Sequence, residues 1–264
     1  MIGVGNKMIF NNKTGFSNWV SYTDLGSFDT YGSSYGSQFA IFYLDGNWRA
    51  IRGDYNANFV GYIWDGNQWI NSSQVISGLS NLGLSFIYPE AFYVGTDLYL
   101  ICATDSLGFS GFLWNGSQWV SNTEIISGLS KYNSRNKPRV FFMNNNMYLI
   151  YGTYLGIFRG YIWDGSKWVL NSGIVSGLGD IGEESALTVF QFEWDETYYL
   201  IAGEHTSSLI GFSWNGSQWV SNTEIISGLS VSGNTLCPLV FNMNDKWYLL
   251  CAKWYGRPNG FKAQ

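Results

Sequence analysis

Charge, proline and cysteine are all scarce in this chain of 264 residues. Charged residues make up 12% and the net charge is −5, so the sequence does not carry the clustered Lys and Arg of a nucleic-acid-binding face. No apolar run approaches the roughly 18 residues that a membrane-spanning helix needs, and no basic amphipathic segment points to a membrane surface. We therefore expect neither a nucleic-acid partner nor membrane insertion.

The three cysteines indicate neither disulfides nor a metal site. Their number is odd, and Cys102, Cys237 and Cys251 do not have the spacing of metal ligands. Cys102 and Cys251 occupy the same place in two related segments, which is typical of small buried apolar residues. Acidic residues show no Asp-x-Asp spacing of a calcium site either. The sequence predicts no cofactor and no metal.

Aromatic residues and glycine are abundant, and they recur with a fixed period. A phrase of about twenty residues reads Gly-aromatic-x-Trp-(Asp/Asn)-Gly-x-x-Trp and ends near Ser-Gly-Leu; it starts at Gly61, Gly111, Gly160 and Gly211, with a degenerate fifth start at Gly260. The copies at 111–130 and 211–230 differ at one position only. Periods of about 50 residues are typical of solenoids, propellers and arrays.

Each period divides into four short strands. In the second period we expect strands at 90–94, 98–103, 110–114 and 118–125. The Asp-Gly or Asn-Gly pair between the last two strands is a strong hairpin signal. With a two-residue turn, Trp64 lies opposite Asn67 and Tyr62 opposite Trp69. Four antiparallel strands per unit predict the blade of a β-propeller.

Five starts predict an all-β, five-bladed propeller that occupies 1–264 as a single domain. The segment 16–21 matches the outer-strand phrase at 118–121, and the chain ends part-way through another unit at 260–262. The last blade is therefore expected to be built from both termini, with either 7–10 or 260–263 as its third strand. An open solenoid is the alternative, although it would not need complementary half-units at its ends.

The paired tryptophans have two interpretations. The rings pack blade against blade, or some ring faces line grooves between outer strands and stack on sugars; an indole with one buried and one wet face does both. The second interpretation gives candidate carbohydrate-binding residues. The first choices are Trp64, Trp114, Trp163 and Trp214, and the second choices are Trp69, Trp119, Trp168 and Trp219.

The phrase Tyr161-Ile162-Trp163-Asp164-Gly165-Ser166-Lys167-Trp168, running on to Ser176-Gly177-Leu178, resembles the repeat of propeller lectins. The most similar groups are the bacterial fucose-binding propellers and the tectonin group. This resemblance implies sugar sites between blades, glycans on cell or particle surfaces as partners, and multivalent binding. The chain departs from those lectins at Asn122-Thr123-Glu124 and Asn222-Thr223-Glu224, where they usually place a further Trp in the outer strand.

The functional prediction is a multivalent carbohydrate-binding module that is not an enzyme and is extracellular or surface-associated, although the N-terminus shows no signal peptide. Two alternatives stay open. One is a structural or adhesive surface or virion component without a sugar site. The other is a five-bladed glycoside hydrolase, which needs two carboxyls about 5–9.5 Å apart; the candidate acids are Glu90, Glu193 and Glu204.

Overall fold

The computed structural model describes residues 15–26, 28, 38–54, 56–83, 86–104, 108–131, 135–204, 208–231, 236–253 and 257–264. Within these residues, twenty strands form five separate sheets of four antiparallel strands each. The first strands of successive sheets contact one another, so the sheets are arranged as blades around a common axis. The predicted five-bladed β-propeller is confirmed.

The blades are numbered here in chain order, with strands given from the axis outward. Blade 1 contains β2 (Phe39–Leu44), β3 (Asn47–Gly53), β4 (Phe59–Trp64) and β5 (Trp69–Asn71). Blade 2 contains β6 (Ile87–Val94), β7 (Asp97–Thr104), β8 (Gly108–Trp114) and β9 (Trp119–Ser121). Blade 3 contains β10 (Lys137–Met143), β11 (Asn146–Gly152), β12 (Phe158–Trp163) and β13 (Trp168–Leu170). Blade 4 contains β14 (Ala186–Gln191), β15 (Tyr198–Gly203), β16 (Leu209–Trp214) and β17 (Trp219–Ser221).

Blade 5 is assembled from both ends of the chain. It contains β18 (Cys237–Met243), β19 (Lys246–Ala252), β20 (Asn259–Ala263) and β1 (Trp19–Ser21). The third strand is thus β20, as one of the two predicted arrangements required; the competing segment 7–10 lies outside the described residues. Main-chain bonds run from Ser17 N–H to the Gln264 carbonyl (2.9 Å) and from Gln264 N–H to the Asn18 carbonyl (3.0 Å). Closure by both termini is confirmed.

The predicted register of the outer hairpins is wrong by two residues. Trp64 pairs with Trp69, and Tyr62 pairs with Asn71. The connection has four residues because the Asp65 carboxylate accepts hydrogen bonds from the N–H groups of residues 67 and 68, at 2.8 and 2.9 Å. Such Asx turns compete with a tight two-residue hairpin. A shift of two residues keeps every side chain on its original face of the strand, so the aromatic cluster remains.

The outer strands are shorter than predicted. In blade 2 the expected strand at 118–125 ends at Ser121, and a 3₁₀ turn follows at Glu124–Ile126. The Asn122 side chain accepts a hydrogen bond from Ile125 N–H (3.0 Å), which turns the chain away from the sheet. Corresponding 3₁₀ turns follow the other outer strands, at Thr23–Gly26, Ser73–Ile76, Gly173–Val175 and Glu224–Ile226.

These 3₁₀ turns connect each blade to the next. The tryptophan that begins an outer strand donates its indole N–H to a carbonyl in the 3₁₀ turn of the preceding blade. The four bonds are Trp119 to Val75 (2.9 Å), Trp168 to Ile125 (2.7 Å), Trp219 to Ile174 (2.8 Å) and Trp19 to Ile225 (2.8 Å). Between blades 5 and 1, Trp69 instead stacks on Phe28, with ring centroids 5.3 Å apart. We call these five residues the joint tryptophans.

Apolar side chains from adjacent blades form shared clusters, and the cysteines lie among them. Cys102, Cys237 and Cys251 are buried and unbonded to each other. Among the described residues, no helix is long and apolar enough to cross a membrane.

Candidate functional site

The four first-choice tryptophans each end a third strand and are partly exposed. Every one of them contacts the joint tryptophan paired with it, ring edge to ring face, at centroid distances of 5.2–5.5 Å. This contact fixes the orientation of the outer ring against a buried support. We call these residues the groove tryptophans: Trp64, Trp114, Trp163 and Trp214.

The second-choice tryptophans are not available to a ligand. Trp69, Trp119, Trp168 and Trp219 are 1–3% exposed. Three of them use the indole N–H in the blade joints described above. Their predicted role as sugar-stacking residues is therefore corrected: they are core residues that hold neighbouring blades together, since a ring with no exposed face cannot stack on a sugar.

Each groove tryptophan faces the second strand of the preceding blade. Trp64, Trp163 and Trp214 share hydrophobic clusters with Tyr248, Tyr99 and Tyr148, respectively. These tyrosines occupy equivalent register positions in β19, β7 and β11. Three of the grooves between blades therefore carry the same pair of aromatic residues.

The groove between blades 1 and 2 differs by one residue. Arg49 stands at the tyrosine position of β3, and its guanidinium carbon lies 5.9 Å from the centre of the Trp114 ring. Asp45 accepts a hydrogen bond from Arg49 at 3.4 Å. This groove is thus aromatic on one wall and cationic on the other.

The joint between blades 4 and 5 departs furthest from the repeat. Ala263 pairs with Trp19 where the other blades pair two tryptophans, and the Phe16 ring contacts Trp19 instead, at 5.6 Å. The connection between β14 and β15 is also longer than its counterparts and brings in Trp194. A cleft of about 860 Å³ opens here, and we call it the closing cleft; it is lined by Phe16, Trp194, Asp195, Tyr199, Asn222 and Glu224, among others.

An arginine side chain lies at the axis of the ring. Arg139 donates to Glu90 (2.6 Å) and to the main-chain carbonyls of Phe39 (3.0 Å), Leu187 (3.1 Å) and Pro238 (3.4 Å). Since Arg139 itself belongs to blade 3, its side chain connects all five blades. No sequence signal marks this role, because Arg139 occurs once, outside the repeated phrase.

The three candidate acids lie in different environments. Glu90 is buried at the axis, where burial raises the pKa of its carboxyl while Arg139 opposes that rise. Glu193 accepts a hydrogen bond from the Trp247 indole N–H (2.6 Å) in the connection between β14 and β15. Glu204 follows the other end of β15. Glu193 and Glu204 therefore lie at opposite ends of blade 4.

No protein-family model matches the chain, and no curated protein matches its sequence. Solved structures match it in fold. The RS223 β-xylosidase aligns with a TM-score of 0.59 and 9% identity, over 88% of this chain and 92% of that one. The GH43_1 enzyme from Xanthomonas citri in complex with xylose gives 0.57 and 13%, over 89% and 87%. The Aleuria aurantia lectin, a six-bladed propeller that recognises fucose, gives 0.52 and 14%, over 84% and 74%.

These similarities establish the fold, and they confirm the predicted resemblance to propeller lectins at that level. They also correct one prediction. The sequence favoured a protein that is not an enzyme and left a glycoside hydrolase as an alternative, but the same fold is shared with glycoside hydrolases, whose TM-scores of 0.57–0.59 exceed those of the Aleuria lectin. The near-identical copies at 111–130 and 211–230 lie in the two outer strands of their blades and the turns that follow, whereas the axis, with Glu90 and Arg139, is asymmetric.

Proposed function

We propose that this protein is a multivalent carbohydrate-binding propeller with four related sites, one at each groove tryptophan. The observation that carries the proposal is the fourfold recurrence of a partly exposed indole, held on a buried ring and facing the preceding blade. A sugar would place its apolar face on the indole, while nearby polar side chains and main-chain groups bond its hydroxyls. Similarity in fold to a fucose-recognising lectin supports the same class of ligand.

Repetition explains how weak sites give useful binding. A ligand that reaches two grooves at once binds the second at high effective concentration, so the affinity for a branched or repeated glycan exceeds that for one sugar unit. Glycoconjugates on cells or particles present sugars in this way. We therefore propose surface glycans as partners and an extracellular or surface-associated location.

A glycan array probed with the multivalently displayed protein tests the proposal. We expect one or more glycans to bind. Trp163→Ala should weaken one of the four sites about two- to tenfold and leave the other three unchanged, because an aromatic contact contributes about 0.5–1.5 kcal/mol. Leu170→Ala is the matched control, since this residue is an exposed apolar side chain on the outer strand of the same blade and should leave binding unchanged.

Three outcomes would contradict the proposal. If no glycan on the array binds, the protein has no carbohydrate ligand of the proposed kind. Recovery of the protein in a filament or capsid would then favour a structural role. Binding that survives replacement of all four groove tryptophans would place the sites elsewhere. Turnover of an aryl glycoside that is lost in Glu90→Gln would make hydrolysis the function, with catalysis at the axis of the ring.

A further inference from the structure

The closing cleft differs from the four grooves in the length of one connection and in the aromatic residues around it. Six residues, 192–197, separate β14 from β15, whereas two-residue turns join the first two strands of the other blades. The longer connection places Trp194 against Phe192, with parallel rings 4.7 Å apart. The Phe16 ring also stacks on Phe192, with ring centroids 5.4 Å apart. The cleft therefore has an aromatic wall of its own, independent of any groove tryptophan.

Acidic side chains also line the closing cleft. Asp195 accepts hydrogen bonds from the Tyr199 hydroxyl and from Thr197 N–H (2.8 Å). Burial alone would raise the pKa of Asp195, but these hydrogen bonds hold it below its ordinary value, so the carboxylate is charged at neutral pH.

The remaining charges around the cleft do not offset this carboxylate. Glu224 is an exposed lining residue and adds a second negative charge. Burial, together with Asp195, raises the pKa of Tyr199 to about 12, so its hydroxyl stays neutral. Among the described residues that line the cleft, none is Lys or Arg. Lys246 and Lys262 line a smaller cleft of about 190 Å³ that shares Trp194.

We propose that the closing cleft is a fifth, distinct site that binds a saccharide carrying a free ammonium group, such as an oligomer of glucosamine. The pyranose face would pack against Trp194, and the ammonium group would pair with Asp195 and Glu224. Aromatic rings add to the attraction of a cation. The saccharide part of this inference rests on the proposed function, whereas the preference for an amine rests on the cleft alone.

Calorimetric titration with two oligomers of equal length tests the inference. Hexamers of glucosamine and of N-acetylglucosamine share a scaffold, but only the first is cationic at mildly acidic pH. We expect the glucosamine hexamer to bind about three- to tenfold more tightly, as an exposed ion pair and a cation–ring contact together allow. The difference should shrink as salt is raised, because exposed charges are screened.

Variants assign the preference to the cleft. The double variant Asp195→Asn with Glu224→Gln should bind both hexamers equally, and Trp194→Ala should weaken both. Glu124→Gln is the matched control, because Glu124 occupies the same position in the near-identical copy of the phrase in blade 2 and does not line the cleft. Melting temperatures of all variants report whether the fold is kept.

Equal binding of the two hexamers by the unaltered protein would overturn the inference, as would a preference that persists in the double variant. A hexamer of lysine that binds as tightly as the glucosamine hexamer would overturn the saccharide assignment. The proposed function is tested separately, by the binding of neutral glycans and by replacement of the groove tryptophans. If the protein binds no neutral glycan but prefers the amine-bearing hexamer, the proposed sites in the four grooves are refuted and the proposed site in the closing cleft is supported.

Discussion

Two tryptophans in each of four blades lie on the two strands of one hairpin but have different physical roles. The joint tryptophan is buried, and in blades 2, 3 and 4 it donates its indole N–H to the preceding blade, whereas the groove tryptophan lies over it with part of its ring exposed. Burial of a large ring with its polar group satisfied contributes to stability, while an exposed ring face is free to contact a ligand. Of the two tryptophans in one hairpin, one thus stabilises the fold and the other is accessible to a ligand.

This division predicts different effects of the same substitution. Trp119→Phe should lower the free energy of unfolding by about 1–3 kcal/mol, because the buried Val75 carbonyl loses its indole donor. Trp114→Phe, in the same hairpin, should cost less than about 1 kcal/mol and should weaken glycan binding instead. Chemical denaturation measures the first effect and titration the second. Equal losses of stability in the two variants would contradict the assigned roles.

At the scale of the element, the 3₁₀ turn and the glycine after it set the distance between blades. Gly128 has a positive φ of +83°, and a Cβ at this position would collide with the main-chain oxygen of Trp168 in the next blade. Glycine is therefore required twice, for its backbone conformation and for the close approach of the two chains.

The matched pair Gly128→Ala and Gly116→Ala separates these two requirements. Gly116 also has a positive φ, of +97°, but a Cβ there meets no atom within 4 Å. We expect Gly116→Ala to destabilise the protein by about 1–2 kcal/mol through backbone strain alone. Gly128→Ala should cost more, because the joint between blades 2 and 3 must also move apart. Thermal unfolding of both variants checks this order, and the reverse order would show that the joint tolerates displacement.

Some features of these strands and turns could be predicted from the sequence and others could not. The period of about 50 residues correctly predicted four strands per blade and closure by both termini, because hydrophobic strands and glycine turns repeat with the blade. The register was wrong because Asp65 accepts two main-chain hydrogen bonds and enlarges the turn, a choice that an Asp-Gly pair alone does not reveal. Which tryptophan of each pair is buried depends on the neighbouring blade, and no local pattern encodes that contact.

At the scale of the whole molecule, the axis unites blades that are otherwise joined only to their neighbours. The five innermost strands place Ala40, Glu90, Arg139, Thr188 and Leu239 at equivalent register positions. Only one of these side chains is long enough to reach the strands of every other blade. This arrangement is not repeated along the chain, so no periodic signal in the sequence predicts it, and the same holds for the closing cleft.

Removal of this connection should affect the whole ring. Arg139→Ala leaves Glu90 buried without its ion-pair partner, and we expect a loss of about 3–5 kcal/mol in the free energy of unfolding. Adding Glu90→Gln to that variant should recover part of the loss, since the unpaired buried charge is gone. Arg49→Met is the control: its partner Asp45 is largely exposed, so the change should stay within about 1 kcal/mol. Additive losses in the double variant would contradict the pairing.

Closure by β1 and β20 has a consequence for biosynthesis. Ser17 and Gln264, which share a main-chain hydrogen bond, are 247 residues apart in the chain. At roughly 5–20 residues per second, a ribosome needs on the order of 10–50 seconds to deliver the second after the first. Throughout that interval the segment around Trp19 has no sheet to join. The sheet of blade 5 can therefore be completed only after β20 has been synthesised, which makes the pairing of β1 with β20 a late step of folding.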